Sequence, residues 1–81
     1  MSEQQLLDLI KQVIDRIAAS KGTTAPKILP NTALLGGGLP IDSLDLAALV
    51  VELEQATGHD PFKAGFVDFR TAGELVQLYR Q

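Results

Sequence analysis

Leu6, Leu7, Ile10, Val13, Ile14, Ile17 and Ala18 recur at intervals of three and four, the spacing that gathers apolar side chains on one face of an α-helix. A helix with such a stripe must bury it against other parts of the chain, and that requirement governs how the rest of the 81 residues can be arranged. A chain this short sustains one small core, so residues 1–81 are read as a single domain. Ser2 with Gln5 fits a capping box at the helix start, and Gly22 after Lys21 fits a stop. Lys11 and Asp15 are spaced for a surface ion pair.

From Gly22 to Ile41 the pattern changes. Pro26, Pro30, Pro40 and the run Gly36-Gly37-Gly38 are too disruptive for a long helix, and the segment lacks the alternation of a strand. A loop of about twenty residues needs a reason to be there. Ile28, Leu29, Leu34, Leu35 and Leu39 supply one: each is expected to pin the loop onto the helices, for up to about 1.5–3 kcal/mol if fully buried. The segment is read as a packed crossover, with the glycine run as its flexible tip. The glycines do not form a phosphate-binding loop, because the Gly-x-x-x-x-Gly-Lys-Ser/Thr pattern is absent.

The next helix is expected from Ser43 to about Thr57, ended by Gly58. At roughly 100° per residue, Leu46, Leu49, Val50 and Leu53 make one narrow apolar stripe. Leu44, Ala48, Val51 and Gln55 fall on the opposite side, bordered by Asp45 and Glu52. A helix apolar on both faces is either sandwiched in a larger core or used for docking, and a domain of this size has little with which to sandwich it. We read the second strip as a docking surface. Further on, Asp60-Pro61 suits a turn or short helix, and Phe62, Phe66 and Phe69 are spaced to join the core. The last helix is expected from Thr71, with Glu74 completing a capping box and Ala72, Leu75, Leu78 and Tyr79 facing inward. The resulting expectation is an all-α fold, a small bundle of three main helices plus one short one.

Ser43 stands where the Gly/Pro loop becomes the second helix. Either Asp42 or Ser43 can cap that helix, and the backbone N–H groups of its first turn suit a phosphate, so Ser43 is read as a covalent attachment point. Other chemistries lack their residues. Serine catalysis needs a positioned base and an oxyanion hole, yet the Gly-x-Ser-x-Gly elbow is absent and the single histidine, His59, lies far along the chain in a turn-like setting. One histidine and no cysteine cannot make the usual zinc site. A net charge of −3 with seven scattered basic residues disfavours nucleic acid. With no signal-like or membrane-spanning run, a cytoplasmic monomer away from membranes is the default expectation. The lack of cysteine also means that any thioester chemistry needs a thiol from a prosthetic group.

The stretch Gly38-Leu39-Pro40-Ile41-Asp42-Ser43-Leu44-Asp45-Leu46, continued by Leu49, Val50, Leu53 and Glu54 and closed by Gly58, resembles the acyl carrier protein family around its modified serine. The amphipathic first helix, the long loop and Phe69-Arg70-Thr71-Ala72-Gly73-Glu74-Leu75 extend the resemblance over nearly the whole chain. It implies a non-catalytic carrier whose Ser43 receives 4′-phosphopantetheine from coenzyme A by a phosphopantetheinyl transferase and then holds acyl groups as thioesters. Asp42 would position the linkage. Leu44, Asp45, Ala48, Val51, Glu52 and Gln55 would meet the transferase, an acyl- or aminoacyl-loading enzyme and a downstream synthase or transferase. The chain departs from fatty-acid carriers in having Ala48 and Gln55 where Glu is common, and Thr57 where an aromatic residue commonly precedes the glycine. These departures point to a specialised carrier in polyketide, peptide or modified-lipid biosynthesis. The alternatives are a peptidyl or aminoacyl carrier, or a helical interaction adaptor never modified at Ser43.

Overall fold

A computed structural model describes residues 2–36, 38–63, 65 and 68–80. Among these residues three helices follow in order: α1 over Glu3–Ser20, α2 over Ser43–Thr57 and α3 over Ala72–Tyr79. Among the described residues no strand forms beyond one isolated bridge between Ala33 and Thr71. Asp60 to Lys63 makes a turn, and no helix forms among the described residues between α2 and α3. Ala64, Phe66 and Val67 lie outside the described residues, so the place expected for Phe66 does too.

The helix ends follow from local chemistry. Ser2 and Gln5 form a reciprocal capping box, with Ser2 Oγ accepting from Gln5 N–H at 3.1 Å and Gln5 Oε1 accepting from Ser2 N–H at 2.8 Å. At the other end Gly22 adopts φ +74°, and the Thr23 and Gly22 N–H groups donate to the Ala18 and Ala19 carbonyls, a Schellman closure. α2 also ends on a left-handed glycine, Gly58. The Lys11–Asp15 pair does not form. The ion pairs among the described residues run between elements, Arg16–Glu52, Lys21–Asp45 and Arg80–Glu3.

α1 packs against both α2 and α3, and its buried stripe is Leu6, Leu7, Ile10, Val13, Ile14 and Ala18. Leu49 and Leu53 of α2, and Ala72, Leu75, Val76 and Tyr79 of α3, complete the helical core. Leu78 and Ile17 pack at its margin, whereas Val76, next to Leu75, was not among the residues expected inside. The loop contributes Ile28 and Leu34, with Leu39 partly buried. Leu29 and Leu35 correct the expectation that all five loop residues pin it down: each is 45% exposed. Each is adjacent in sequence to a buried neighbour, and the path of the loop, which bends at Leu34 to Gly36, turns one of each pair inward and leaves the other outside.

The loop is fastened to α3 more than to α1 or α2. Leu34 N–H donates to the Arg70 carbonyl at 2.8 Å, Ala72 N–H to Thr32 at 3.0 Å and Gly73 N–H to Pro30 at 2.7 Å. The loop therefore supplies acceptors for the first-turn N–H groups that a helix leaves unpaired. Thr71 Oγ accepts from Glu74 N–H at 3.1 Å, but the Glu74 carboxylate turns to the Thr71 hydroxyl at 3.2 Å, so only half of the expected capping box forms. Gly73 is needed for the close approach, because a Cβ there would lie 2.7 Å from the Pro30 oxygen. Gly73→Ala is expected to lower stability in a urea melt: about 1–3 kcal/mol of overpacking outweighs about 0.5–1 kcal/mol of improved helix propensity.

Tyr79 joins α3 to α2 through its hydroxyl, which donates to the Val50 carbonyl at 3.3 Å. Burial, aided by the charges of Glu54 and Asp60, pushes its phenol up to about 12. The unfolded chain ionises this group first, so its contribution to stability is intact below about pH 10 and is lost as the pH rises through 12. Urea midpoints measured from pH 8 upward should show that alkaline decline in the native chain and a shallower one in Tyr79→Phe.

Candidate functional site

α2 begins at Ser43, and the residue that caps it is Asp42. Asp42 Oδ1 accepts from Asp45 N–H at 2.9 Å, and Asp45 Oδ2 accepts from Asp42 N–H at 3.0 Å, a reciprocal box built from two aspartates. Of the two residues able to cap, Asp42 does so, which leaves Ser43 in the first helical position. Its side chain is exposed and makes no hydrogen bond within the described chain. The backbone N–H groups of Ser43 and Leu44 likewise have no partner within it. In α3, by contrast, the loop occupies the two corresponding donors, Ala72 and Gly73 N–H, while the third N–H of each helix bonds to its cap residue.

Asp45 receives a further hydrogen bond from Lys21 Nζ at the C-terminal end of α1. That bond, with the Asp42 backbone N–H, holds the Asp45 carboxyl below the usual aspartate range. Because its folded pKa is depressed, the arrangement contributes stability at neutral pH that disappears as the pH falls through the lowered value. Lys21 thereby ties the first turn of α2, next to Ser43, to the end of α1.

The two faces of α2 separate as their spacing predicts. Leu49 and Leu53 are fully buried, and Leu46 and Val50 pack against the core with partial exposure. On the other side Leu44 is 80% exposed and Val51 50%, with Ala47, Ala48 and Gln55 also exposed. Asp45 and Glu52 border this strip, and both are turned towards α1, Asp45 to Lys21 and Glu52 to Arg16 at 2.6 Å. Sequence reasoning missed these basic partners, because separations of 36 and 24 residues carry no periodic signal.

Beside Ser43 opens an apolar groove of about 470 Å³, lined by Leu46, Ala47, Val50, Val51, Phe62 and Phe69. The Phe62 and Phe69 rings meet with centroids 5.9 Å apart and planes tilted by 44°. Both rings pack partly against the core and partly form the groove wall, so the expected core role of these two phenylalanines describes only one of their sides. His59, distant in sequence from Ser43, donates its backbone N–H to Thr57 Oγ at 3.1 Å in the turn after α2. Among the described residues no group of three or more His, Cys, Asp or Glu side chains is placed to hold a metal ion. No helix among them is long and apolar enough to cross a membrane. In comparisons with models of protein families, with curated proteins and with solved structures, nothing matches the chain.

Proposed function

We propose that the chain is a carrier protein of the acyl carrier type, modified on Ser43 with 4′-phosphopantetheine and non-catalytic in its own right. The observation that carries this reading is the contrast between the two later helix starts: α3 has its first-turn donors occupied, whereas α2 presents an uncommitted hydroxyl beside two open N–H groups. A phosphodiester on Ser43 Oγ would lie against those donors and the positive end of the helix. Asp42 and Asp45 keep the turn in shape without using the serine. In the transfer, Ser43 Oγ attacks the β-phosphorus of coenzyme A, the bond to the nucleotide 3′,5′-bisphosphate breaks, and the serine proton passes to a base on the transferase.

The arm supplies the thiol that this cysteine-free chain lacks. The groove beside Ser43 suits an apolar acyl chain. Leu44, Ala48, Val51 and Gln55, bordered by Asp45 and Glu52, face the transferase, the loading enzyme and the enzyme that takes the cargo. In this reading the segment after α2, a turn where it is described, takes the place of the bundle's short fourth element, and the domain works as a monomer.

The test is intact-mass analysis after incubation with coenzyme A, magnesium and a broad-specificity transferase. A gain of one phosphopantetheine mapping to Ser43, with one reactive thiol where the untreated chain has none, is the expected result. An unchanged mass with several active transferases, or modification at another serine, sinks the reading and favours an unmodified helical adaptor.

A further inference from the structure

Arg16, Lys21 and Arg80 are each held by a carboxylate, those of Glu52, Asp45 and Glu3. Arg70 is exposed, and its side chain meets no carboxylate among the described residues, neither Asp68 before it nor Glu74 after it, which bonds instead to the Thr71 hydroxyl. Its backbone is fixed by other means, since the Arg70 carbonyl accepts from Leu34 N–H at 2.8 Å. A guanidinium with its donors open is thereby anchored at the junction of the loop with α3. Lys11 and Lys27 share their recess with Asp15, whereas Arg70 shares its groove with no acidic residue.

That groove, of about 480 Å³, is lined by Ala33, Leu34, Leu35, Leu46, Phe69 and Arg70. Every lining residue but Arg70 is apolar, and Leu35 lies 45% exposed along it. Leu46 and Phe69 also line the groove beside Ser43, so the two hollows meet along a shared wall, and a chain that starts at Ser43 has apolar surface to follow as far as Arg70. We propose that this second groove holds the far end of the cargo and that this end is a carboxylate, paired with Arg70: the carrier takes acyl groups derived from diacids, one carboxyl bound as the thioester and the other left ionised. The inference rests on the carrier reading and names the class of its cargo. A methyl-ended chain would cover the apolar walls and leave Arg70 without a partner. A carboxylate-ended chain would give up hydration in such a groove, and the guanidinium is the group that offsets this cost.

A broad-specificity transferase with magnesium, supplied with suberoyl- or octanoyl-coenzyme A, loads Ser43 with chains of equal carbon count that differ only at the far end. Intact mass confirms each loading. At neutral pH the suberoyl form should melt about 2 °C or more above the octanoyl form, the scale of one ion pair at an exposed edge in a domain of this size. The advantage should shrink in about 1 M salt, where the Debye length is about 3 Å. The Leu35 and Arg70 amide resonances should move on suberoyl loading and hold still when the arm is bare. Arg70→Gln should erase the difference between the two forms and Arg70→Lys should keep part of it, and neither change touches the backbone bond to Leu34. Should Arg70→Gln fail to fold, Leu35→Asp, at a half-exposed position, gives the same reading by setting a carboxylate against that of the cargo.

Equal melting of the suberoyl and octanoyl forms overturns the proposal, and so does a difference that survives Arg70→Gln. A shift at Arg70 of the same size with the bare arm overturns it too, because the partner is then the phosphodiester. In each of these cases Ser43 has gained mass, and the carrier reading stands. No gain of mass from either thioester overturns the carrier reading and this proposal together.

Discussion

Ser43→Ala should abolish the mass gain on treatment with coenzyme A, magnesium and transferase, and should leave the fold in place. The serine is exposed, sits in the first turn, and its hydroxyl makes no hydrogen bond among the described residues, so its truncation belongs to the surface changes that move stability within about ±0.5 kcal/mol. Asp42→Ala is the contrasting variant. It removes the acceptor for Asp45 N–H and should cost about 0.5–2 kcal/mol. Thermal melts and intact mass, run on both variants, separate the attachment atom from the cap that presents it. A Ser43→Ala chain that still gains mass rules out Ser43 as the attachment point.

The second large effect lies on the two faces of α2. Leu49→Ala empties a position that is 0% exposed in the core, and should cost about 2–5 kcal/mol through lost burial and the cavity left behind. Val51→Glu changes a half-exposed residue and should leave the melting transition nearly in place, while transfer to Ser43 slows. Chemical unfolding and transfer rates measured on both proteins give opposite patterns if the faces are assigned correctly. A Val51→Glu chain that unfolds beside a harmless Leu49→Ala means that the assignment is inverted.

What was legible in the sequence was whatever repeats at a fixed interval. The α1 stripe, the start and end of α2 and the split between Leu49 and Val51 all follow from periodicity near 3.6 and from residues suited to helix ends. The Ser43 turn was legible too, although Asp42 and Ser43 were equivalent as caps until their geometry distinguished them. What was not legible depends on residues brought together from far apart. Leu29 and Leu35 look as apolar as Ile28 and Leu34, and only the path of the loop decides which are buried. Arg16 and Lys21 read as ordinary solvated charges until α2 is laid beside them. Gly73 carried the one available hint of the loop–α3 junction, since a glycine in a first helical turn signals a close approach more than a helix preference.

The three hydrogen bonds between residues 30–34 and 70–73 divide the long loop into two parts that differ in their tolerance of insertion. Between Pro30 and Leu34 each added residue would shift these bonding groups out of register with residues 70–73. Beyond Leu34, the described residues up to Ile41 make no backbone hydrogen bond of that kind, and doubling a flexible stretch costs only about 0.6 kcal/mol. The placement of Ser43 is set by α2 on α1 and by Lys21 on Asp45, so a tag or reporter spliced in after Leu35 would leave the serine where it is.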